Sequence, residues 1–363
     1  MVQNITSPEK LNLKDLSYSE LEEFVVALGE KKFRAKQIFE WLHKGVVSFD
    51  EMTNISNSFR EKLSEKSYIS VLEIEEKFQS KMDETKKYLF RLMDGNMVES
   101  VVMYYNHGIT ICISCQVGCR MGCKFCASTI GGLVRSLTPG EILDQVIFAQ
   151  KDIGERISNI VMMGIGEPMD NFDNVVKFLE NVNHPSGLNI GYRHISVSTC
   201  GVVPNIKRLM DVDIPITLSI SLHSPNNEAR SAIMPINKKY PVEQLIAVCR
   251  EYIRKTGRRI SFEYALIEGV SDLDFLAKEL SQLIKGMLCH VNLIPVNSVK
   301  ERDFKKPSKE RIERFKNILL KNGINATVRR ELGSDINASC GQLRRNKIDE
   351  SKRGDLNDNS SGI

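Results

Sequence analysis

Five of the chain's nine cysteines fall at positions 112, 115, 119, 123 and 126, and three of them, Cys119, Cys123 and Cys126, stand as C-x3-C-x2-C in the run CQVGCRMGCKFCAST. So many thiols in so short a segment restrict the local fold to one that gathers sulfur. The count is odd, and the opening residues MVQNITSPEKLNLKD lack the apolar h-region of a secretory signal. A secreted disulfide scaffold is therefore not expected; a cytoplasmic location, with thiols kept for metal or redox chemistry, is. Three close thiolates can hold three irons of a four-iron cluster and leave the fourth iron open to a substrate. Zinc, completed by Cys115 or Cys112, is the competing reading. Zinc frameworks usually separate two C-x2-4-C pairs, whereas here the ligands crowd one loop with no second pair, so the spacing favours the cluster.

Around this loop the chain reads as α/β. From about residue 109, the apolar runs TICIS, ISNIVMMGIGEP, HISVSTCG, ITLSISLHS, RISFEYALIEGV and HVNLIPVN alternate with amphipathic stretches of helical period. Such alternation implies parallel strands joined by right-handed helical crossovers, and six units close naturally into a partial (β/α)6 barrel, with an open doubly wound sheet as the other solution. Residues 1–78 read as a helical N-terminal region: Ser17 and Glu20 form a capping-box pattern, Gly29 a stop, and Ala35, Ile38, Phe39 and Leu42 one apolar face. Its cations Lys31, Lys32, Arg34 and Lys36 suit either phosphate contact or a solvated helix face. Residues 79–108 read as a β-hairpin turning at Asp94-Gly95, residues 109–345 as the barrel, and the polar 346–363 tail as disordered. With 42% hydrophobic and 26% charged residues, the composition is that of a globular enzyme. The net charge of +4 permits a nucleic-acid partner without arguing for one, and no 18-residue apolar stretch predicts a membrane span.

Parallel α/β folds collect functional groups at the C-terminal ends of their strands. The cysteine loop follows the first apolar run. The loop GIGEPMDN follows the second, Ser198 ends the third, Ser221, Leu222 and His223 end the fourth, and Asn297 lies just past the sixth. Three thiolates with one open iron mark the radical S-adenosylmethionine (SAM) enzymes, and the chain from Cys112 to Cys340 resembles one. In that setting Glu167, after Gly166 and before Pro168, suits the α-ammonium of SAM, although Gly-Glu-Pro alone is only a turn. Cys340 has small neighbours, Ala338, Ser339 and Gly341, and reads either as an inert buried thiol or as one brought close to a ligand. Cys112, four residues into a strand, is equally open. Glu99 in NMVESVVMYY reads from pattern alone as a solvent-facing strand carboxylate.

The resemblance is more specific than the superfamily. FRAKQIFEWLHKG, FDEMTNIS, CISCQVGCRMGCKFCAST, GIGEPMDN, STCGVVPNI, SLHSPNNEARSAIMPINKKYP, NLIPVN and DINASCGQLR are similar to the RlmN family of bacterial adenine-C2 methyltransferases, which act on 23S ribosomal RNA and tRNA. The resemblance implies methylation at C2 of adenine 2503 in 23S rRNA and adenine 37 in tRNA. It implies one [4Fe-4S] cluster on Cys119, Cys123 and Cys126, and two SAM per turnover bound by Gly166, Glu167, Ser198, Ser221, Leu222, His223 and Asn297. It further implies that Cys340 is S-methylated, that Cys112 releases product by forming a disulfide with it, and that Glu99 accepts the proton. The implied partners are the two RNAs and an electron donor such as flavodoxin or ferredoxin, with no membrane. The alternatives are a C8-methylating relative that confers antibiotic resistance and a non-catalytic zinc RNA-binding protein. Cys115 and Cys200 stand where relatives have serine, a nearly isosteric exchange. Arg344 and Arg345 join the N-terminal cations as candidate phosphate contacts.

Overall fold

The computed structural model describes residues 10–296 and 303–336; Asn297, Cys340, Arg344, Arg345 and the 346–363 tail lie outside the described residues. The N-terminal region runs β1 (Leu11–Asn12), α1 (Tyr18–Ala27), α2 (Arg34–His43), α3 (Asn57–Lys66) and β2 (Ser67–Tyr68), with β1 and β2 paired in parallel. At the start of α1 the Ser17 hydroxyl accepts the Glu20 N–H at 3.2 Å and the Glu20 carboxylate accepts the Ser17 N–H at 2.7 Å. That reciprocal pair satisfies two donors that a helix start leaves bare. Ala35, Ile38, Phe39 and Leu42 of α2 are buried against Leu21, Val25, Phe59 and Leu63, so this region has a small core of its own.

A buried polar junction fixes the region to the rest of the chain. The Lys14 ammonium pairs with Asp144, both fully buried, and donates to the Ser70 carbonyl at 2.8 Å, while the Ser70 hydroxyl donates to Asp144 at 2.6 Å. Burial pushes the Asp144 carboxyl up to about 6 against the opposing Lys14 charge. The helical reading of residues 1–78 overreaches here: α3 ends at Lys66, and Glu73–Gln79 is a strand, β3. Its sequence, EIEEKFQ, is that of a charged edge strand, and the charges hide the period-2 signal.

From β3 the chain makes an antiparallel meander through β4 (Lys86–Arg91), β5 (Met97–Tyr105) and β6 (Gly108–Cys112). The expected hairpin forms, with Arg91 opposite Met97 as its last pair and Gly95 at φ +81° in a five-residue turn. A two-stranded ribbon, β7 (Gln116–Gly118) and β8 (Leu133–Ser136), brackets the cysteine loop. Then follow α4 (Pro139–Ile153), β9 (Ile157–Met162), α5 (Phe172–Asn183), β10 (Ile195–Thr199), α6 (Val203–Leu209) and β11 (Thr217–Ser221). The last stretch is α7 (Asn227–Ile233), α8 (Val242–Thr256), β12 (Ile260–Leu266), α9 (Asp274–Leu283), β13 (Cys289–Pro295), α10 (Lys309–Lys321) and β14 (Ala326–Val328).

All six anticipated strands are present, and β14 adds a seventh. Ten strands form one mixed sheet in the order β14-β13-β12-β11-β10-β9-β6-β5-β4-β3, parallel from β14 to β6 and antiparallel beyond. Because β5 pairs with β6, the hairpin is continuous with the parallel sheet. The architecture is a mixed α/β sheet with helical crossovers between its parallel strands and a small helical N-terminal region.

Side chains alternate across a strand, so the two sheet faces differ. Ile260, Phe262, Tyr264 and Leu266 of β12, Val197 of β10, and Leu218 and Ile220 of β11 enter the main core. Ser198, Ser219, Ser221 and Glu263 stand on the other face, where Ser196 and Ser219 hydroxyls lie 3.1 Å apart. A parallel sheet is usually apolar on both faces. A polar stripe on the inner face calls for a polar occupant.

Candidate active site

The inner face and the loops at the strand ends enclose a cavity of about 780 Å³. Cys119, Cys123 and Cys126 line one end of it; Val101, Met103, Tyr105 and Cys112 line another wall; Arg329, Arg330, Lys306 and Lys309 stand around it from the β14 and α10 side. Residues from separate strands thus meet at one place, as the strand-end rule predicts.

The cysteine loop is held from several directions. The Asn171 amide donates to the carbonyls of Cys115 at 2.9 Å and Leu137 at 2.8 Å, and the Gln116 amide donates to Asp170 at 3.0 Å. Lys124 N–H donates to the Ile233 carbonyl at 2.9 Å. Cys119 and Cys123 are buried and Cys126 half-buried. Burial pushes the Cys119 thiol up to about 12 and raises Cys123 further. Such a site favours thiolates only when a cation is bound, since metal binding and thiol deprotonation are linked.

The residues present suit a four-iron cluster better than one ion. Among the described residues no three His, Cys, Asp or Glu side chains converge as the donors of a single metal ion. A cluster asks instead for one thiolate at each of several separate irons. Cys115, offered as a zinc partner, is absent from the cavity lining and packs in the main core. Cys112 belongs to a different apolar group from Cys123 and Cys126.

Gly166 sits at φ +114°, and a Cβ there would lie 2.7 Å from the Gln116 Cβ and 2.9 Å from the Cys115 sulfur. Only glycine lets the chain pass. Glu167 is buried; its carboxylate accepts Met169 N–H at 3.0 Å and Cys200 N–H at 2.8 Å, and burial raises its pKa. It therefore caps its own turn and ties β9 to the end of β10. His223 has φ +57°, and its Nδ1 accepts Ala265 N–H at 2.9 Å, which leaves Nε2 as the donor of the neutral ring. Burial, with the Arg230 charge second, brings His223 down to about 3. Its ring meets Phe125 of the cysteine loop edge-on at 4.9 Å. Leu222 is different: its side chain is in the core, and only its backbone reaches this region, its carbonyl accepting from Arg230.

Pattern reading missed Glu263. It is buried on β12, accepts from Ser198 at 2.9 Å and Ser221 at 3.4 Å, and lines the cavity. Its second oxygen, Oε1, is buried with no hydrogen-bond partner among the described residues. The available signal was a lone carboxylate in the apolar run ISFEYAL. Glu99, expected to face solvent, is instead buried and ion-paired with buried Lys87 at 3.0 Å. The expectation failed because the face of β5 that carries Glu99 also carries Val101 and Met103 and is turned toward the cavity, not toward solvent. Of the N-terminal cations, Lys32 pairs with Glu22 at 3.0 Å and Lys36 with Glu40 at 3.8 Å, which offsets part of their field.

Residues 11–69 match the family model described as the ribosomal RNA large subunit methyltransferase N-terminal domain, and residues 113–277 match that of the radical SAM superfamily. A probable dual-specificity RNA methyltransferase RlmN of Alkaliphilus oremlandii is 59% identical over 340 residues, covering 94% of this chain and 99% of that protein. The corresponding protein of Lachnospira eligens is 57% identical over 348 residues, with 94% and 99% covered. The crystal structure of a radical SAM methyltransferase from Sphaerobacter thermophilus superposes with a TM-score of 0.87 at 45% identity, covering 92% of this chain and 98% of that one. Among the described residues no helix is long and apolar enough to cross a membrane. A fold, a thiol-lined cavity and likeness along nearly the whole length agree: the chain belongs to the RlmN family of radical SAM RNA methyltransferases, which implies one [4Fe-4S] cluster and SAM.

Proposed function

We propose that this enzyme methylates C2 of adenine in 23S rRNA, at position 2503, and in tRNA, at position 37, by way of a methyl group carried on Cys340. The observation that carries this reading is the wall of the cavity formed by β5 and β6. Cys112 lies directly across from Val101, and Glu99, Val101 and Met103 share one strand face. Leu332, eight residues before Cys340, packs on the group formed by Val101, Met103 and Cys112. A thiol, a carboxylate and the root of the segment bearing the second thiol are thereby neighbours.

Cys119, Cys123 and Cys126 are the residues to hold the cluster, with Glu167, Ser198, Ser221 and His223 beside them for SAM. A cluster bound there would supply the electron for reductive cleavage of SAM, and with it the radical chemistry that a C–H bond of a methyl on sulfur requires. The protein's own groups do the rest. Adenine C2 is electron-poor, so it does not attack a sulfonium methyl; the Cys340 thiolate does, and takes the first methyl by displacement. Glu99 removes the C2 proton once the new carbon bond has formed, with the Lys87 ammonium neutralising the buried carboxylate. Cys112 then attacks the Cys340 sulfur; the sulfur–carbon bond breaks with its electron pair going to carbon, which takes up a proton to become the product methyl, the unpaired electron left by the radical addition passes to a one-electron acceptor, a disulfide forms, and methylated RNA leaves. The target base must reach the cavity from a loop or be flipped out of its helix. Lys306, Lys309, Arg329 and Arg330 around the cavity suit the flanking phosphates.

The test is anaerobic incubation with SAM, reductant and an rRNA fragment, followed by mass spectrometry of the nucleosides. 2-Methyladenosine supports the reading; 8-methyladenosine, or no methylation by protein with a full cluster, overturns it.

A further inference from the structure

Arg230 on α7 has no solvent exposure. Its guanidinium donates to four acceptors, none of them charged: Nε to the Leu222 carbonyl at 3.0 Å, Nη1 to the Asn237 side-chain oxygen at 3.0 Å, and Nη2 to the carbonyls of Cys200 at 2.7 Å and Ser221 at 3.3 Å. Among the described residues it forms no ion pair with a carboxylate. A buried cation without an anion is costly, and proteins retain one where an opposite charge compensates it. Hydrogen bonds to three backbone carbonyls and the Asn237 amide oxygen engage four of its five N–H groups but leave its charge unanswered.

Its surroundings show where that answer lies. The ionisable groups beside Arg230 include the thiols of Cys200, Cys123 and Cys249 and the His223 ring. Cys123 and Cys200 pack together with Ile233 and Met234, at and just beyond the end of the same helix. The Lys124 N–H to Ile233 bond joins the cysteine loop to that helix end. The other cations nearby contribute less: Lys124 is exposed, so solvent screens it, Arg120 is engaged by Asp170, and His223 is neutral.

We propose that Arg230 is the fixed counter-charge of the thiolate-held cluster, a positioning residue whose buried guanidinium favours uptake of the electron that starts the reaction. This rests on Cys119, Cys123 and Cys126 holding the cluster. A cluster on three thiolates is anionic, and one-electron reduction makes it more so, with no proton required. The electron comes from an external one-electron carrier, a reduced flavin or iron–sulfur protein in the cell and dithionite in the assay. A cation held in a poorly polarisable interior stabilises the reduced state more than the oxidised one, and net local charge is a determinant of cluster potential. The same fork ties the ends of β10 and β11 together, so charge and scaffold must be separated experimentally.

Three variants do so. R230K keeps the charge and loses most of the fork. R230Q removes the charge. N237D leaves Arg230 in place and puts a carboxylate on the atom 3.0 Å from it, at the loss of the Asn237 amide bonds to Asn227 and Ser231. Each holoenzyme is reconstituted anaerobically, assayed for iron and thermal stability, and titrated with dithionite under electron paramagnetic resonance, without RNA. R230Q and N237D are expected to lower the reduced-to-oxidised ratio about tenfold at the wild-type midpoint, which is about 59 mV for one electron. R230K stays within about threefold of wild type, although all three lose thermal stability. If R230Q does not fold, N237D carries the test. Full iron with unshifted midpoints in R230Q and N237D, or an R230K shift as large as that of R230Q, overturns the proposal. Wild-type protein without an iron–sulfur signal overturns the cluster assignment instead.

Discussion

Lys87 and Glu99 form an ion pair of 3.0 Å inside the sheet, on adjacent strands, with side-chain exposures of 0% and 4%. Lys87 stands opposite Val101 and Leu89 opposite Glu99, so the pair is diagonal on one face. The Ser114 hydroxyl donates to the Glu99 carbonyl at 2.7 Å and holds the strand beneath it. An interior carboxylate kept in place by its own buried cation is suited to accept a proton at a fixed point. Replacing Glu99 with Gln keeps the shape and removes the base. RNA methylation is expected to fall by about 10²–10⁴-fold, the usual contribution of a positioned base. Intact-protein mass spectrometry should still find a methyl on Cys340. Wild-type turnover by E99Q would reduce Glu99 to a structural partner of Lys87.

Glu263 offers a second test. One of its oxygens is engaged by two serines and the other has no partner among the described residues. A hydroxyl or ammonium of a nucleotide bound in the cavity would supply the missing donor. E263Q replaces a charged acceptor with a neutral one, and hydrogen bonds to charged groups contribute about 1.5–3 kcal/mol. The dissociation constant for SAM, measured by equilibrium dialysis on cluster-loaded protein, is expected to rise about 10- to 100-fold. An unchanged constant would remove Glu263 from the ligand's surroundings.

The turn at Gly166 has no room for a methyl group and a φ that L-residues avoid. Gly166→Ala should cost about 1–3 kcal/mol from backbone conformation alone, with the overlap on Gln116 and Cys115 adding to it. Thermal unfolding should show the loss, and iron content should drop because Gln116 leads directly into the cysteine loop. A variant of wild-type stability and iron content would contradict the geometry.

Lys14→Met leaves Asp144 buried beside Ser70 with its cation gone. Breaking one side of a buried pair costs about 3–5 kcal/mol, whereas replacing both partners by apolar residues is often mild. Chemical denaturation should find K14M much less stable than the double variant K14M/D144L. Equal losses in the two would mean that packing, not charge, fixes this junction.

The elements that carry strong periodicity were readable from the chain. The α1 and α4 capping boxes, the buried face of α2 and the six parallel strands all follow from local patterns. The cysteine triad, Glu167, Ser198, Ser221 and His223 were legible because strand ends in this architecture converge on one cavity. Glu99 was misread because local alternation does not tell which face of β5 is the inner one; Glu99 shares its face with Val101 and Met103, which line the cavity. Glu263 and Arg230 were missed for a related reason. Each is a charged residue inside an apolar or helical pattern, and its meaning lies in partners 65 and 30 residues away along the chain. Strand β3 was taken as helix because charged residues on an edge obscure alternation.

The central claim is that the carbon reaches adenine through a methyl on Cys340 that first gives up a hydrogen. Protein freed of its existing methyl is supplied anaerobically with SAM bearing a trideuteromethyl group, reductant and RNA, and the 2-methyladenosine is weighed by mass spectrometry. The account predicts a product methyl that keeps two of the three deuterium atoms, and no product from C340A. A methyl carrying all three, or undiminished methylation by C340A, would contradict it.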